Sequence, residues 1–426
     1  MVSHTNRRTV LKSVGVAGVA GLAGCLGGDG GSNGGSSDNG SGDGSGDGRE
    51  LMIGVLQPTT GDLGDLGGPI RDAAVLPATQ LEDSDVSFTI DLQEEDSQTD
   101  PEAGLSAAQA LADGGYPAIT GAAASSVTIP VAQQVAVPNG VVMCSPASTA
   151  PEITEMDDDD FLFRTAPSDA LQGEVMAQVG AEDFDFSSAA TFHLNNDYGQ
   201  QLSESFVSAF EELGGSVTAE VAFEAEQPSY TSLLQDALGD DPDGMIVIGY
   251  PASGEQIFRD YYADFDGEET IMVTDGLREP SLPGNVDNPM ENVVGTAPLA
   301  AGPDQDHFAN LFEEEYGSAP GVFTAQAYDA TAVLLLANVA AGENDGTAIR
   351  DNLRTVANPE GEEVGPSNLG EAMGMVADGE EVNYQGASSA VDFDDNGDMQ
   401  AVTYEIFEFS EEGIETTDTV EFEAEG

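Results

Sequence analysis

The stretch Ile119–Ile153, ITGAAASSVTIPVAQQVAVPNGVVMCSPASTAPEI, decides how this chain is read. Twice within it a short apolar run, Pro117–Thr120 and then Gly140–Cys144, gives way to small hydroxylated residues where a helix is expected to begin. The first opening carries Ser125, Ser126 and Thr128, and the second Ser145, Ser148 and Thr149. Helix starts rich in Ser and Thr present free N–H groups and hydroxyls together, which suits an anion such as a carboxylate. The same pattern also describes ordinary N-caps of an α/β fold, so the neighbouring elements must decide between the two.

Outward from this stretch, short apolar runs alternate with amphipathic segments. Residues 51–58 (LMIGVLQP) read as a buried strand, 59–69 (TTGDLGDLGGP) as a Gly-rich loop and 70–81 as a helix. A strand over 86–92 and a helix over 101–112 follow, the helix opening on Pro101. After the acidic run Asp157–Asp160, expected to be a solvated loop, Ser168 is placed to cap a helix over 170–180. A second series then begins, with strands at 189–193, 217–223, 245–249 and 270–274 and helices between them. Further helices are expected over 306–316, 323–341 and 347–356, and a hairpin turning at Asp395-Asn396-Gly397. Asp392–Gly397 imitates the start of a calcium loop, but its twelfth position is Thr403 and its flanks read as strand, so it is taken as a turn. The fold class is therefore α/β, with two doubly wound, Rossmann-like lobes.

Charge narrows the function. The 426 residues carry 79 Asp+Glu against 10 Lys+Arg, a formal net charge of −69, with Lys12 the sole lysine. Nucleic-acid binding is excluded, because phosphates need clustered cations. The apolar runs speak against disorder, and the acidity fits a folded protein in concentrated salt, where screening acts within a few ångströms. At the N-terminus, Arg7-Arg8 precedes a short apolar run, Val14–Ala23, and Leu22-Ala23-Gly24-Cys25 closes it. The run is too short to span a membrane and reads as an export signal. The segment resembles a twin-arginine signal with a lipobox, which implies lipid on Cys25 and anchorage at the outer face of the cell membrane. Gly27–Gly48 is a Gly/Ser/Asp/Asn tether. Cys144 then remains as one thiol, expected to be a buried apolar residue.

Catalytic patterns are scarce. There is no G-x-S-x-G elbow, no G-x-x-x-x-G-K-[ST] loop, and His193 and His307 are in no metal-ligand spacing. Neither an enzyme nor a cofactor or metal is indicated. Polar and aromatic residues do gather at the C-terminal ends of the expected strands, where open α/β sheets place ligands. These are Ser125 and Thr149 in the first series and Tyr198, Tyr250 and Asp275 in the second.

Together, IGVLQPTTGDLGDLG, TGAAASSVTIPVAQ, MCSPASTAPEIT, FRTAPSDALQG, LNNDYGQQL, AQAYDATAVLLLA and YQGASSAVDFDDNGD resemble one family. It is that of the extracytoplasmic binding proteins of branched-chain amino-acid (Leu/Ile/Val-type) ABC transporters, with the type I periplasmic-binding fold. The resemblance implies two lobes joined by a multi-strand hinge. Lobe 1 would span 49–167 and 298–384, and lobe 2 168–297 and 385–426, after an export signal at 1–24 and a tether at 25–48. The hinge crossings are expected near Thr165–Ser168, Val293–Pro298 and Tyr384–Ser388. It also implies that Ser125, Ala147 (through its backbone) and Thr149 hold a ligand carboxylate, that Asp275 holds an ammonium, and that Tyr198 and Tyr250 close over the ligand. The partners implied are a small solute, a permease and ATPase subunits, with the binding protein a monomer. The alternatives are a receptor for a short amide, urea or a carboxylic acid, or a non-transport sensor, and a secreted hydrolase is disfavoured because the two histidines have no triad context. Asp62, Asp65 and Arg278 depart from the family's usual residues.

Overall fold

The computed structural model describes residues 48–423, apart from 83, 85, 266, 268, 358, 359, 411 and 412. The expected export signal, Cys25 and all but the last residue of the tether lie outside the described residues.

Five strands form a first sheet: β1 (Glu50–Gln57), β2 (Thr89–Asp96), β3 (Ala118–Gly121), β4 (Val142–Ser145) and β5 (Leu162–Arg164). Their order is β2-β1-β3-β4-β5 and every pairing is parallel. Every residue of β3 and β4 is buried, as helices on both faces of a parallel sheet require. A second sheet contains β6 (Ser188–Leu194), β7 (Ser216–Phe223), β8 (Gly244–Ile248), β9 (Thr270–Val273) and β10 (Val293–Pro298). There the order β7-β6-β8-β9-β10 repeats the winding of the first sheet. Two short strands, β11 (Glu362–Val364) and β12 (Val382–Tyr384), pair with each other. The antiparallel ribbon β13 (Ala401–Ser410) and β14 (Gly413–Glu423) then extends the second sheet beyond β10. In both sheets the winding reverses beside the first strand, between β1 and β3 and between β6 and β8. A ligand crevice belongs at the C-terminal side of such a switch point.

Five expectations need correction. The Gly-rich segment is not all loop, because a helix already begins at Gly64 and runs to Glu82 with Pro69 and Pro77 inside it. Gly67 is there for proximity: a Cβ on it would stand 1.8 Å from the Pro58 carbonyl oxygen. The second hydroxyl-rich turn opens only a single 3₁₀ turn, Pro151–Ile153. Val293–Pro298 is not a crossing but strand β10, and the chain leaves the second sheet only after it. The tail hairpin is β13–β14, while the turn at Asp395–Gly397 closes on one isolated bridge, Phe393 to Met399. The acidic run is likewise not simply solvated, since Asp160 pairs with Arg354 at 2.7 Å and Asp158 accepts from Leu162 N.

The passages between sheets are tied to one helix, Thr324–Ala341, which is buried almost from end to end because Ala, Leu and Val cover it all round. Thr165, just after β5, donates its hydroxyl to Gln326 O at 2.8 Å. One turn on, the buried Asp329 carboxylate accepts from Ala387 N, Ser388 N, Ser388 Oγ and Tyr384 Oη at 2.6–3.0 Å. Burial raises Asp329 to about 6, against the donors that favour its ionised form. A side chain on Gly386 would strike this carboxylate, with a Cβ 2.4 Å from Oδ2.

Candidate functional site

Both switch points open on the same narrow cavity. Leu63, Leu66 and Ile70 reach it from the segment after β1, Ala123 from after β3 and Ala147 from after β4. From the second sheet come Tyr198 after β6, Tyr250 after β8, and Asp275 and Gly276 after β9. Phe323, just before the buried helix, completes the wall.

The second-sheet side is a rigid polar floor. Tyr198 and Tyr250 stack with ring centroids 5.4 Å apart and planes 5° from parallel. Tyr198 Oη lies 2.7 Å from Thr274 Oγ1 and donates to Asp275 Oδ1 at 3.2 Å. Asp275 is raised to about 6, because burial penalises its charge more than the hydrogen bonds from Gln172 and Tyr198 favour it. Gly276 must be glycine for this floor to close, since a Cβ there would lie 2.3 Å from Gly249 O.

The first-sheet side is organised differently from the sequence expectation. Ser125 is not an N-cap: Ala124 occupies that position before the helix Ser125–Val131, with no side-chain cap. Three of the six hydroxyls are consumed by the backbone between the turns. Thr128 Oγ1, Ser145 Oγ and Ser148 Oγ all donate to Ala122 O, at 3.0, 2.6 and 3.1 Å. They stitch the two turns into one unit rather than facing a ligand. Ser125 Oγ accepts from Ala150 N at 3.3 Å and keeps its own proton to donate. Among the described residues, the N–H groups of Ala123 and Ala147 on the cavity wall have no acceptor. Neutral donors of this kind can hold a carboxylate where no cation lines the wall.

Thr149 faces away from those donors, toward an acid that the sequence reading missed. Its hydroxyl donates to Asp169 Oδ2 at 2.9 Å, and Asp169 N returns a bond to Thr149 O at 2.8 Å. Asp169 is fully buried and its Oδ1 has no partner. Burial, and then the charge of Asp275, hold Asp169 well above the usual carboxylate range. Gln172, one turn along the same helix, also leaves its Oε1 unpartnered. Behind these groups, Arg164 secures the second turn: it donates to Ser148 O, Ala150 O and Thr154 Oγ1 and pairs with Asp398 at 2.5 Å.

Of the six ligand-binding candidates, Ala147, Tyr198, Tyr250 and Asp275 line one cavity, while Ser125 and Thr149 lie behind its wall. Leu63, Leu66, Ile70, Phe323 and Asp169 were not foreseen. The Leu66–Ile70 spacing of four was the available signal, hidden by the glycines around it.

The periplasmic binding protein family matches residues 50–374. The chain belongs to that family. It is 27% identical over 383 residues to the chemotactic signal transduction system substrate-binding protein BasB of Halobacterium salinarum, covering 87% of this chain and 89% of that protein. It is 23% identical to the leucine-, isoleucine-, valine-, threonine- and alanine-binding protein of Pseudomonas aeruginosa, covering 86% and 91%. Among solved structures, the leucine-binding protein LivK of Thermotoga maritima superposes with a TM-score of 0.73 at 24% identity, covering 87% of this chain and 98% of that one. The two-lobed type I periplasmic-binding architecture is thus the fold of this chain, and no helix among the described residues is long and apolar enough to cross a membrane.

Proposed function

We propose that this protein captures an amino acid, of branched-chain type, between its two lobes and delivers it to an ABC permease with its ATPase subunits. The observation that carries this reading is the polarity of the cavity. Asp275 lines one side with Asp169 behind it, neutral N–H donors stand on the opposite side, and Leu63, Leu66, Ile70 and Phe323 supply apolar wall between. An α-amino acid with an aliphatic side chain matches all three. Its ammonium would meet Asp275 and Tyr198 Oη, with Asp169 behind them, and its carboxylate the N–H groups of Ala123 and Ala147, with Ser125 supporting that wall from behind. Thr149 then acts on Asp169 and not on the carboxylate. A second reading, a receptor that presents the solute to a chemotactic transducer, is favoured by the likeness to BasB over most of both chains. Either use requires the same site. Export, lipid on Cys25 and life in concentrated salt belong to this proposal as well, and mass spectrometry of the membrane-extracted protein tests the lipid.

Calorimetry in molar salt tests the site, with L-leucine, L-isoleucine, isovalerate (no amine) and isoamylamine (no carboxylate). The amino acids should bind, and each truncated analogue should lose at least about 2 kcal/mol, since removing one partner strands buried polar groups. Binding of isovalerate as tight as that of leucine would remove the acids from the site.

A further inference from the structure

The helix Pro251–Asp264 starts at the rim of the cavity, and its own N-cap residue, Tyr250, provides no side-chain cap. A cap is nevertheless present, and it comes from the other lobe. Asp62, in the turn between β1 and the helix Gly64–Glu82, accepts through Oδ1 from Ser253 N at 2.8 Å and from Ser253 Oγ at 2.8 Å. Ala252 N adds a longer bond to Asp62 O at 3.4 Å. The contact is enclosed, with Asp62 6% exposed and Ser253 fully buried. Each partner adjoins the cavity: Leu63 follows Asp62, and Tyr250 stands three residues before Ser253. A helix N-terminus carries orphan N–H groups and partial positive charge, so a carboxylate there is a favourable cap. Here the cap and the helix sit on opposite lobes, and the bonds exist only while the lobes are together.

We propose that Asp62 is a closure latch: an N-cap that the first lobe lends to a second-lobe helix, favouring the shut cleft before any solute arrives. The inference rests on the reading that the lobes close over a solute. Its consequence is a population effect. A latch that touches no solute raises the fraction of molecules in the competent form, and so scales the affinity for every solute by one common factor. The contact is short-range and enclosed, so dissolved salt screens it far less than exposed ion pairs.

The experiment compares the full mature chain with its D62A and S253A variants in two arms. In the first arm, hydrogen exchange without ligand is followed at the amides of Ala147, Asp275 and Gly276, which line the cavity yet make no hydrogen bond to Asp62. The latch requires faster exchange there in D62A than in the unaltered protein. In the second arm, calorimetry with L-leucine, L-isoleucine and L-alanine should show weakening by one shared factor, between about tenfold and a hundredfold for D62A. S253A, which keeps the backbone bond, should lose less, again equally for all three. Unchanged exchange at Ala147, Asp275 and Gly276 overturns the latch, as does a loss that differs among the three ligands, which would make Asp62 a solute contact. If D62A does not fold, S253A carries both arms by itself. If no amino acid binds even the unaltered protein, the solute reading fails while the exchange arm still decides the latch.

Discussion

Asp275 should make amino-acid binding depend on pH, in a direction and by an amount that its surroundings fix. Its carboxyl is raised to about 6 by burial in the ligand-free cleft. An ammonium group binds the ionised form, so below that pH a proton must leave before the ligand can be held. At pH 5 about one molecule in eleven carries Asp275 ionised, so affinity should be about tenfold weaker than at pH 7.5, a difference of about 1.4 kcal/mol. Asp169, raised in the same direction by burial and by Asp275, can only steepen this fall. Stability of the ligand-free protein runs the other way. A carboxyl raised from 3.8 to about 6 by folding contributes stability that is fully present below pH 3.8 and is lost as pH rises through about 6. Raising the pH from 4 to 6.5 should therefore remove about 2 kcal/mol through Asp275, while it strengthens ligand binding. Calorimetry of L-leucine at pH 5, 6 and 7.5, in two buffers of different ionisation heat, measures both the affinity and the proton released, which should approach one at pH 5. D275N should bind weakly at every pH and release no proton. An affinity that stays level from pH 5 to 7.5, or that rises in acid, would refute the pairing of ammonium with Asp275.

The formal charge of −69 predicts that the fold needs salt: a thermal melt in low ionic strength should show lost structure that molar KCl or NaCl restores, and equal melting in both would remove salt dependence from the account. D398A should lower stability by about 3–5 kcal/mol in a denaturant titration, because it leaves the fully buried Arg164 cation without its carboxylate. A loss under about 1 kcal/mol would mean that the pair is no more than an exposed surface contact.

The two sheets were legible because alternation of apolar runs with amphipathic segments is a local property. β1, β3, β4, β6 and β8 fall within a few residues of their expected places. Tyr198, Tyr250 and Asp275 were legible for a related reason, since each follows directly on a strand. The remainder depends on partners distant in sequence. Nothing near Ser148 says that its hydroxyl will serve the carbonyl of Ala122, 26 residues earlier. Asp169 reads as an ordinary first-turn acid until Thr149 and Asp275 are seen around it. The helix at Gly64 was obscured because glycine and proline lower helix propensity, whereas packing of Leu66 and Ile70 against the core decides the matter.

In a chain this acidic, the position of a carboxylate carries more information than its presence. Most acids among the described residues are exposed or half-buried, where each can be exchanged with little local consequence. Five are buried among the described residues: Glu405, on β13, pairs with Arg278 on the second-sheet side, and the other four lie near where segments from the two sheets meet. Asp62 caps a helix of the second lobe, Asp169 bonds the second turn of the first, Asp275 lines the cavity, and Asp329 gathers the passage from β12. Burying a carboxylate is costly unless donors surround it, so each must be met by groups from another segment. Asp62 meets its donors across the cleft, whereas Asp275 accepts from Tyr198 on the same sheet's side. Asp329 and Thr165 meet theirs at adjacent turns of the buried helix Thr324–Ala341, which packs on β1, β3 and β4 of the first sheet.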